Sequence, residues 1–130
     1  MKAIIFDCFG VLLGDGGRNS ELLAAIKGLR TKFKMGVLSN VGAGFWNYFS
    51  EEEAMEFFDD IVLSYQVGLL KPDPRIFKLA AERLGVEPEE CVFVDDDEGN
   101  VQAAENCGMQ GLVYEWGMDI GAAVEELSEK

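Results

Sequence analysis

The chain has 130 residues, of which 48% are hydrophobic, and this length suffices for one buried core but not for two. It contains no histidine, which excludes Ser-His-Asp and Cys-His catalysis and zinc sites built on histidine. The formal net charge of −13 disfavours a nucleic acid or an anionic membrane surface as a partner. Catalysis would therefore depend on carboxylates, lysines, tyrosines, thiols or metal-bound water.

The sequence shows no targeting or disulfide signal. Its apolar run near the N-terminus, residues 3–6, is too short for a signal peptide or a membrane span. The three cysteines have no CxxC spacing, which favours buried thiols over disulfides or a zinc site. We therefore expect a cytoplasmic protein that forms one domain over residues 1–130 and has no membrane partner.

Short apolar runs rich in β-branched or aromatic residues predict five β-strands, at residues 3–6, 35–38, 61–63, 91–94 and 111–114. Helical patterns lie between them, at residues 20–33, 45–58, 74–84 and 97–107. Asn19 and Ser20 are cap candidates of the first helix, and Asp73 is the cap candidate of the third. Because parallel strands need crossover connections, this alternation predicts an α/β fold with an open five-stranded parallel Rossmann-like sheet and helices on both faces.

Polar residues follow the predicted strands, where the ligand crevice of such a sheet lies. They are Asp7, Ser39, Asn40, Ser64, Asp95 and Asp96, and Lys71 follows shortly after Ser64. Three adjacent carboxylates at residues 95–97 repel one another unless a cation neutralises them. We therefore expect a cation site at this edge of the sheet, and we interpret Ser64 as a turn residue.

Four segments in order, IIFDCFGVL, GVLSN, GLLKPDP and VFVDDDEGN, resemble the four motifs of the haloacid dehalogenase (HAD) superfamily. The resemblance covers essentially the whole chain. It implies a HAD-like hydrolase with Mg²⁺ as cofactor and Asp7 as the nucleophile, which forms a covalent aspartyl intermediate. It also implies that Ser39 and the backbone amide of Asn40 bind the transferring group. Lys71 would neutralise charge between Asp7 and a phosphoryl group, as two facing anions require.

The same resemblance implies a set of metal ligands. Asp7, the backbone carbonyl of Phe9 and Asp96 would hold the ion. Asp95 or Asp97 would act through a water or support the direct ligands, and the remaining motif residue, Asn100, would orient Lys71 or its loop. An alternative interpretation, an acidic helix N-terminus favoured by the helix dipole, accounts for Asp97 better than for Asp95.

The chain departs from the superfamily's phosphatase pattern at Phe9. Most phosphatases of the superfamily carry a second aspartate at this position, two residues after the nucleophile, as general acid and base. Loss of such a group typically costs about a hundred- to ten-thousand-fold in rate. In addition, the 31 residues between Asp7 and Ser39 leave no room for the helical cap of dehalogenases, and the connection between Ser64 and Cys91 is also short. We therefore expect a capless, open site.

Three functional hypotheses remain. The first is a magnesium-dependent phosphatase that acts on a small-molecule phosphate or a larger phosphorylated substrate. The second is a metal-binding regulatory protein with weak or no activity, and the third is a dehalogenase or other carbon-centre hydrolase, whose leaving group needs no proton. An open site also agrees with a homodimer in which the second copy supplies a lid.

Overall fold

A computed structural model describes residues 1–129. In chain order the elements are β1 (Ala3–Phe6), β2 (Leu13–Gly14), β3 (Gly17–Arg18), α1 (Ser20–Leu29), β4 (Lys34–Ser39), α2 (Glu51–Phe57), β5 (Asp60–Leu63), α3 (Ser64–Val67), α4 (Pro74–Arg83), β6 (Cys91–Asp95), α5 (Glu98–Asn106), β7 (Gln110–Val113) and α6 (Ile120–Ser128). Short 3₁₀ helices span Ala43–Asn47 and Pro88–Glu90.

Five strands form one sheet in the order β5-β4-β1-β6-β7, and every pairing between neighbours is parallel. The predicted five-stranded parallel α/β fold is therefore confirmed. β1 lies at the centre, with β4 on one side and β6 on the other, so the ends of three strands converge beside Asp7. This is the edge at which a parallel sheet binds ligands.

Helices cover both faces of the sheet. Alternate residues of β1 enter different hydrophobic clusters: Ile4 and Phe6 pack with residues of α1, α2 and α6, whereas Ala3 and Ile5 pack with residues of α4 and α5. All four side chains are fully buried. This two-sided burial explains why β1 reads as a continuous apolar run rather than an alternating one.

Side-chain caps position the helices as the sequence indicates. Asn19 accepts a hydrogen bond from the backbone of Leu22, and Asp73 accepts one from Arg75 at the start of α4. The predicted second helix, residues 45–58, is divided into the 3₁₀ helix Ala43–Asn47 and α2. The predicted first helix is too long. α1 ends at Leu29, and a tight turn with i→i−3 hydrogen bonds leads to Phe33, which still packs against the core.

The structure adds elements that the sequence analysis did not predict: the β2–β3 hairpin, the single turn α3 and the C-terminal helix α6. The hairpin and α1 fill the connection from β1 to β4, and no inserted cap domain lies in either connection within residues 1–129. In the same range, no helix is both long enough and apolar enough to cross a membrane.

Candidate active site

Lys71 joins the carboxyl ends of β1 and β6. Its ammonium Nζ donates to Asp7 Oδ1 at 2.6 Å and to Asp95 Oδ2 at 3.0 Å. The Lys71 side chain is 2% exposed, that of Asp95 1% and that of Asp7 12%. Two carboxylates thus share one buried ammonium, which leaves this part of the site with an excess of negative charge.

The Asn40 side chain holds the backbone of Lys71. Its Oδ1 accepts from the Lys71 amide at 2.8 Å, and its Nδ2 donates to the Lys71 carbonyl at 3.0 Å. Asn40 immediately follows β4, so these bonds tie the loop that carries Lys71 to the sheet. Only the backbone amide of Asn40 is assigned a role from the sequence, and no local pattern reveals a bond between residues so far apart in the chain.

Asp95 is the centre of a hydrogen-bond network. Besides the Lys71 ammonium, its Oδ2 accepts from Asn100 Nδ2 at 3.2 Å, and its Oδ1 accepts from the backbone amide of Asp97 at 3.0 Å. Asn100 and Lys71 therefore donate to the same carboxylate oxygen of Asp95. Asp97 caps α5 by accepting from the amides of Gly99 and Asn100, in agreement with its interpretation as a helix-start residue.

Asp96 brings a third carboxylate to the cluster. One oxygen from each of Asp7, Asp95 and Asp96 lies within 4.8 Å of the others. Gly10 makes this approach possible, because a Cβ atom at that position would overlap the Asp96 carboxylate. Gly10 also has a φ of +87°, which disfavours other residues. Gly10 is not among the site residues predicted from the sequence.

The electrostatics of the cluster favour a bound cation. Burial raises the pKa of the Asp7 carboxyl to about 6, an effect that Lys71 opposes and Asp95 increases. The pKa of Asp96 is also raised, mainly by partial burial and to a lesser extent by a hydrogen bond with Asp95. Three carboxylates face one ammonium, so negative charge is in excess in the cluster. Carboxylate oxygens are also the ligands that Mg²⁺ prefers. The residues present therefore fit this ion.

These side chains line a cavity of about 230 Å³, whose lining comprises Asp7, Phe9, Ser39, Asn40, Lys71, Asp95, Asp96, Asp97 and Asn100. Every residue assigned to the site from the sequence thus reaches one cavity. Ser64 does not line it; its hydroxyl donates to the carbonyl of Val41, as expected of a turn residue. The Phe9 side chain is 50% exposed and offers no group that can transfer a proton.

The fold and the cavity define an α/β protein with an aspartate, a lysine and an acidic pair at the ends of neighbouring parallel strands. A family model for haloacid dehalogenase-like hydrolases matches residues 18–108. The chain belongs to the haloacid dehalogenase-like hydrolase family.

Known proteins resemble the chain over different extents. A glyceraldehyde 3-phosphate phosphatase from Methanopyrus kandleri is 39% identical over 79 residues, which are 59% of this chain and 34% of that protein. An uncharacterised protein from Corynebacterium glutamicum is 28% identical and superposes with a TM-score of 0.80 over 99% of this chain and 93% of its own.

A HAD family enzyme from Bacteroides thetaiotaomicron, solved with magnesium and inorganic phosphate, is 28% identical with a TM-score of 0.72. The match covers 80% of this chain and 56% of that enzyme. The chain spans about a third or less of the length of the first curated relatives that it matches.

Proposed function

We infer that the protein is a magnesium-dependent phosphohydrolase that acts through an aspartyl-phosphate on Asp7. The observation that carries this inference is the 2.6 Å contact between Lys71 Nζ and Asp7 Oδ1 at the buried side of a cavity that Asp96 also lines. A carboxylate can approach an anionic phosphoryl group only where positive charge lies between them, and Lys71 is placed to supply part of it.

The first step forms a bond between an Asp7 oxygen and phosphorus and breaks the bond to the leaving oxygen, which takes the electron pair. The second step is attack of water on the phosphorus, which releases phosphate and restores the Asp7 carboxylate. The Lys71 side chain stabilises charge on the phosphoryl oxygens. Ser39 and the backbone amide of Asn40, which line the same cavity, donate hydrogen bonds to those oxygens.

Asp7, Asp96 and the backbone carbonyl of Phe9 would hold the magnesium ion, and Asp95 would act through water or by orienting Lys71. When bound, the ion supplies positive charge that draws the phosphoryl group toward Asp7. Asp95 accepts hydrogen bonds from Lys71, Asn100 and the Asp97 amide. These bonds support a role in which Asp95 orients Lys71 and does not bind the ion directly. A neighbouring HAD structure that contains magnesium and phosphate is consistent with this assignment.

The open cavity is compatible with two classes of phosphorylated substrate. A small phosphate ester agrees with the name of the Methanopyrus kandleri relative, a glyceraldehyde 3-phosphate phosphatase. A larger phosphorylated molecule agrees with the lack of a cap within residues 1–129, as does a lid supplied by a second copy of the chain. We further propose that residues 1–130 act as one cytoplasmic hydrolase domain.

The test is phosphate release from p-nitrophenyl phosphate and from alkyl phosphates, with magnesium and with EDTA. We expect turnover that requires both magnesium and Asp7. Asp7→Asn should abolish it, because an amide keeps the shape of the side chain but is a very poor nucleophile. Activity near the wild-type level in Asp7→Asn would contradict the mechanism. Magnesium binding without any turnover would favour the regulatory alternative, and metal-independent halide release the dehalogenase alternative.

A further inference from the structure

Two aromatic side chains stand exposed at the candidate site. Phe9 lines the cavity together with Asp7 and is 50% exposed, and Tyr48 follows the 3₁₀ helix Ala43–Asn47 and is 44% exposed. Their ring centroids lie 6.1 Å apart and their planes are at 88°, an edge-to-face contact. The two rings therefore form one aromatic pair, called the rim below, in which Phe9 lines the cavity and Tyr48 packs against Phe9.

The position of Phe9 contrasts with that of the other phenylalanines. All nine lie within residues 1–129, and Phe9 is the exposed one. Near the rim, Phe45 and Phe49 are 1% exposed and pack on each other in the core. The Phe9 ring thus contributes to the cavity wall rather than to the core, and apolar surface next to converging polar groups is typical of a ligand site.

The geometry of phosphoryl transfer directs the leaving group to this rim. Asp7, Lys71 and Asp95 are buried and form the inner side of the cavity. In an in-line displacement the leaving oxygen departs opposite to the attacking oxygen, and so away from Asp7 and toward the open mouth. The exposed rings of Phe9 and Tyr48 are the apolar surface that meets it there.

The lack of a proton donor at Phe9 favours a leaving group of low basicity. A phenyl ring donates no proton, so the leaving oxygen must depart with its negative charge. A phenol has a pKa of about 10, and its anion leaves far more readily than the more basic alkoxide of an alkyl ester. An aromatic leaving group can also pack on the two rings.

We propose that Phe9 and Tyr48 form a leaving-group subsite for an aryl phosphate, which rests on the proposed phosphohydrolase function. The bond from Asp7 to phosphorus forms as the aryl oxygen–phosphorus bond breaks. The aryl oxide leaves with the electron pair and takes a proton from water.

The experiment compares two non-hydrolysable ligands, phenylphosphonate and methylphosphonate, by calorimetric titration of the magnesium-loaded protein. Wild type should bind the phenyl ligand about tenfold more tightly, the value expected for one aromatic contact with its buried area. Tyr48→Leu and Phe9→Leu should each reduce this preference to about twofold or less, and inorganic phosphate should bind equally to wild type and Tyr48→Leu. Tyr65→Leu is the matched control, since Tyr65 is 46% exposed but its hydroxyl accepts from Trp46 Nε1, whereas the Tyr48 ring packs against Phe9.

The outcomes separate the subsite from the reaction. Equal affinity for the two phosphonates in wild type, no phosphonate binding, or an unchanged preference in both leucine variants would overturn the subsite even if phosphate esters are hydrolysed. A preference that disappears in Tyr48→Leu and Phe9→Leu, with circular dichroism showing intact folds, would establish it. If no ester is then hydrolysed, the proposed function and the leaving-group role both fail, and the two rings stand as an aryl-binding surface without that role.

Discussion

Asn40 and Lys71 are joined by two reciprocal hydrogen bonds between the asparagine side chain and the lysine backbone, although 31 positions separate them in the sequence. The pair ties the loop that carries Lys71 to the end of β4. The ammonium of the same lysine contacts Asp7 on β1's side of the cavity. Asn40 thereby acts as a positioning residue for the lysine of the proposed reaction.

We predict that Asn40→Ala lowers both stability and turnover. The loss of two partly buried hydrogen bonds, each contributing about 1 kcal/mol, should lower the melting temperature by several degrees. Because Lys71 then loses its fixed position, kcat should fall by roughly tenfold. Thermal melts and steady-state assays measure the two effects, and Asn47→Ala, at an exposed asparagine outside the cavity, is the matched control. A wild-type kcat in Asn40→Ala would show that these bonds do not position the lysine.

We predict that Asp7→Asn stabilises the metal-free protein at neutral and alkaline pH. The pKa of Asp7 is raised to about 6 from an ordinary value of 3.8, so the folded state holds a proton between these pH values that the unfolded state has lost. Wild type therefore loses stability as the pH rises from about 4 to 6. The asparagine variant has no proton to lose at this position, so its stability does not fall for this reason.

The shift from 3.8 to about 6 corresponds to a difference of about 3 kcal/mol at pH 8. Thermal melts of both proteins in EDTA, from pH 4 to pH 8, should show melting temperatures that diverge as the pH rises. Parallel curves, or a variant that is less stable at pH 8, would contradict the conclusion that ionised Asp7 is held at a cost in the metal-free fold.

We predict that magnesium raises the melting temperature of wild type and that this rise depends on Asp96 and Gly10. A ligand that binds the folded state alone stabilises it by mass action. Asp96→Asn removes a charged ligand, and Gly10→Ala places a Cβ atom where the Asp96 carboxylate lies. Melts in millimolar magnesium and in EDTA give the stabilisation of each protein. Asp119→Asn, at a helix cap distant in sequence from the motifs, is a control that should keep the magnesium response. No response in wild type would contradict the metal site.

We predict that wild-type activity falls steeply as the leaving group becomes more basic, and that Phe9→Asp flattens this dependence. An aspartate at position 9 can protonate an alkoxide, whereas a nitrophenolate needs no proton. Assays of kcat/KM over a series of aryl and alkyl phosphates give the slope for each protein. Phe9→Asn is the control, because asparagine has the shape of aspartate but no acidic proton, and it should keep the wild-type slope. Efficient wild-type turnover of simple alkyl phosphates would show that another group supplies the proton.

The strand and helix pattern could be predicted from the sequence because it depends on local periodicity and on caps such as Asp73 before Pro74. The elements that were missed carried weaker signals. The hairpin strands have two residues each, too few for a period, and α6 shows Ile120 and Val124 at helical spacing after a capping Asp119, a signal that could have been used. The order of the four motifs indicated the family before any tertiary structure was considered.

By itself, the sequence determined which residues reach the candidate site, because the carboxyl ends of parallel strands meet at one edge of a sheet and Asp7, Asn40 and Asp96 directly follow their strands. Only the tertiary structure decided which of these residues contact one another. β1 pairs with β4 and with β6, which comes much later in the chain, and β4 pairs with β5. Together these pairings bring Asn40 and Asp95 to Lys71 and Asp96 to Gly10. The contact between Phe9 and Tyr48 likewise depends on how separate connections pack above the sheet, which no local pattern encodes.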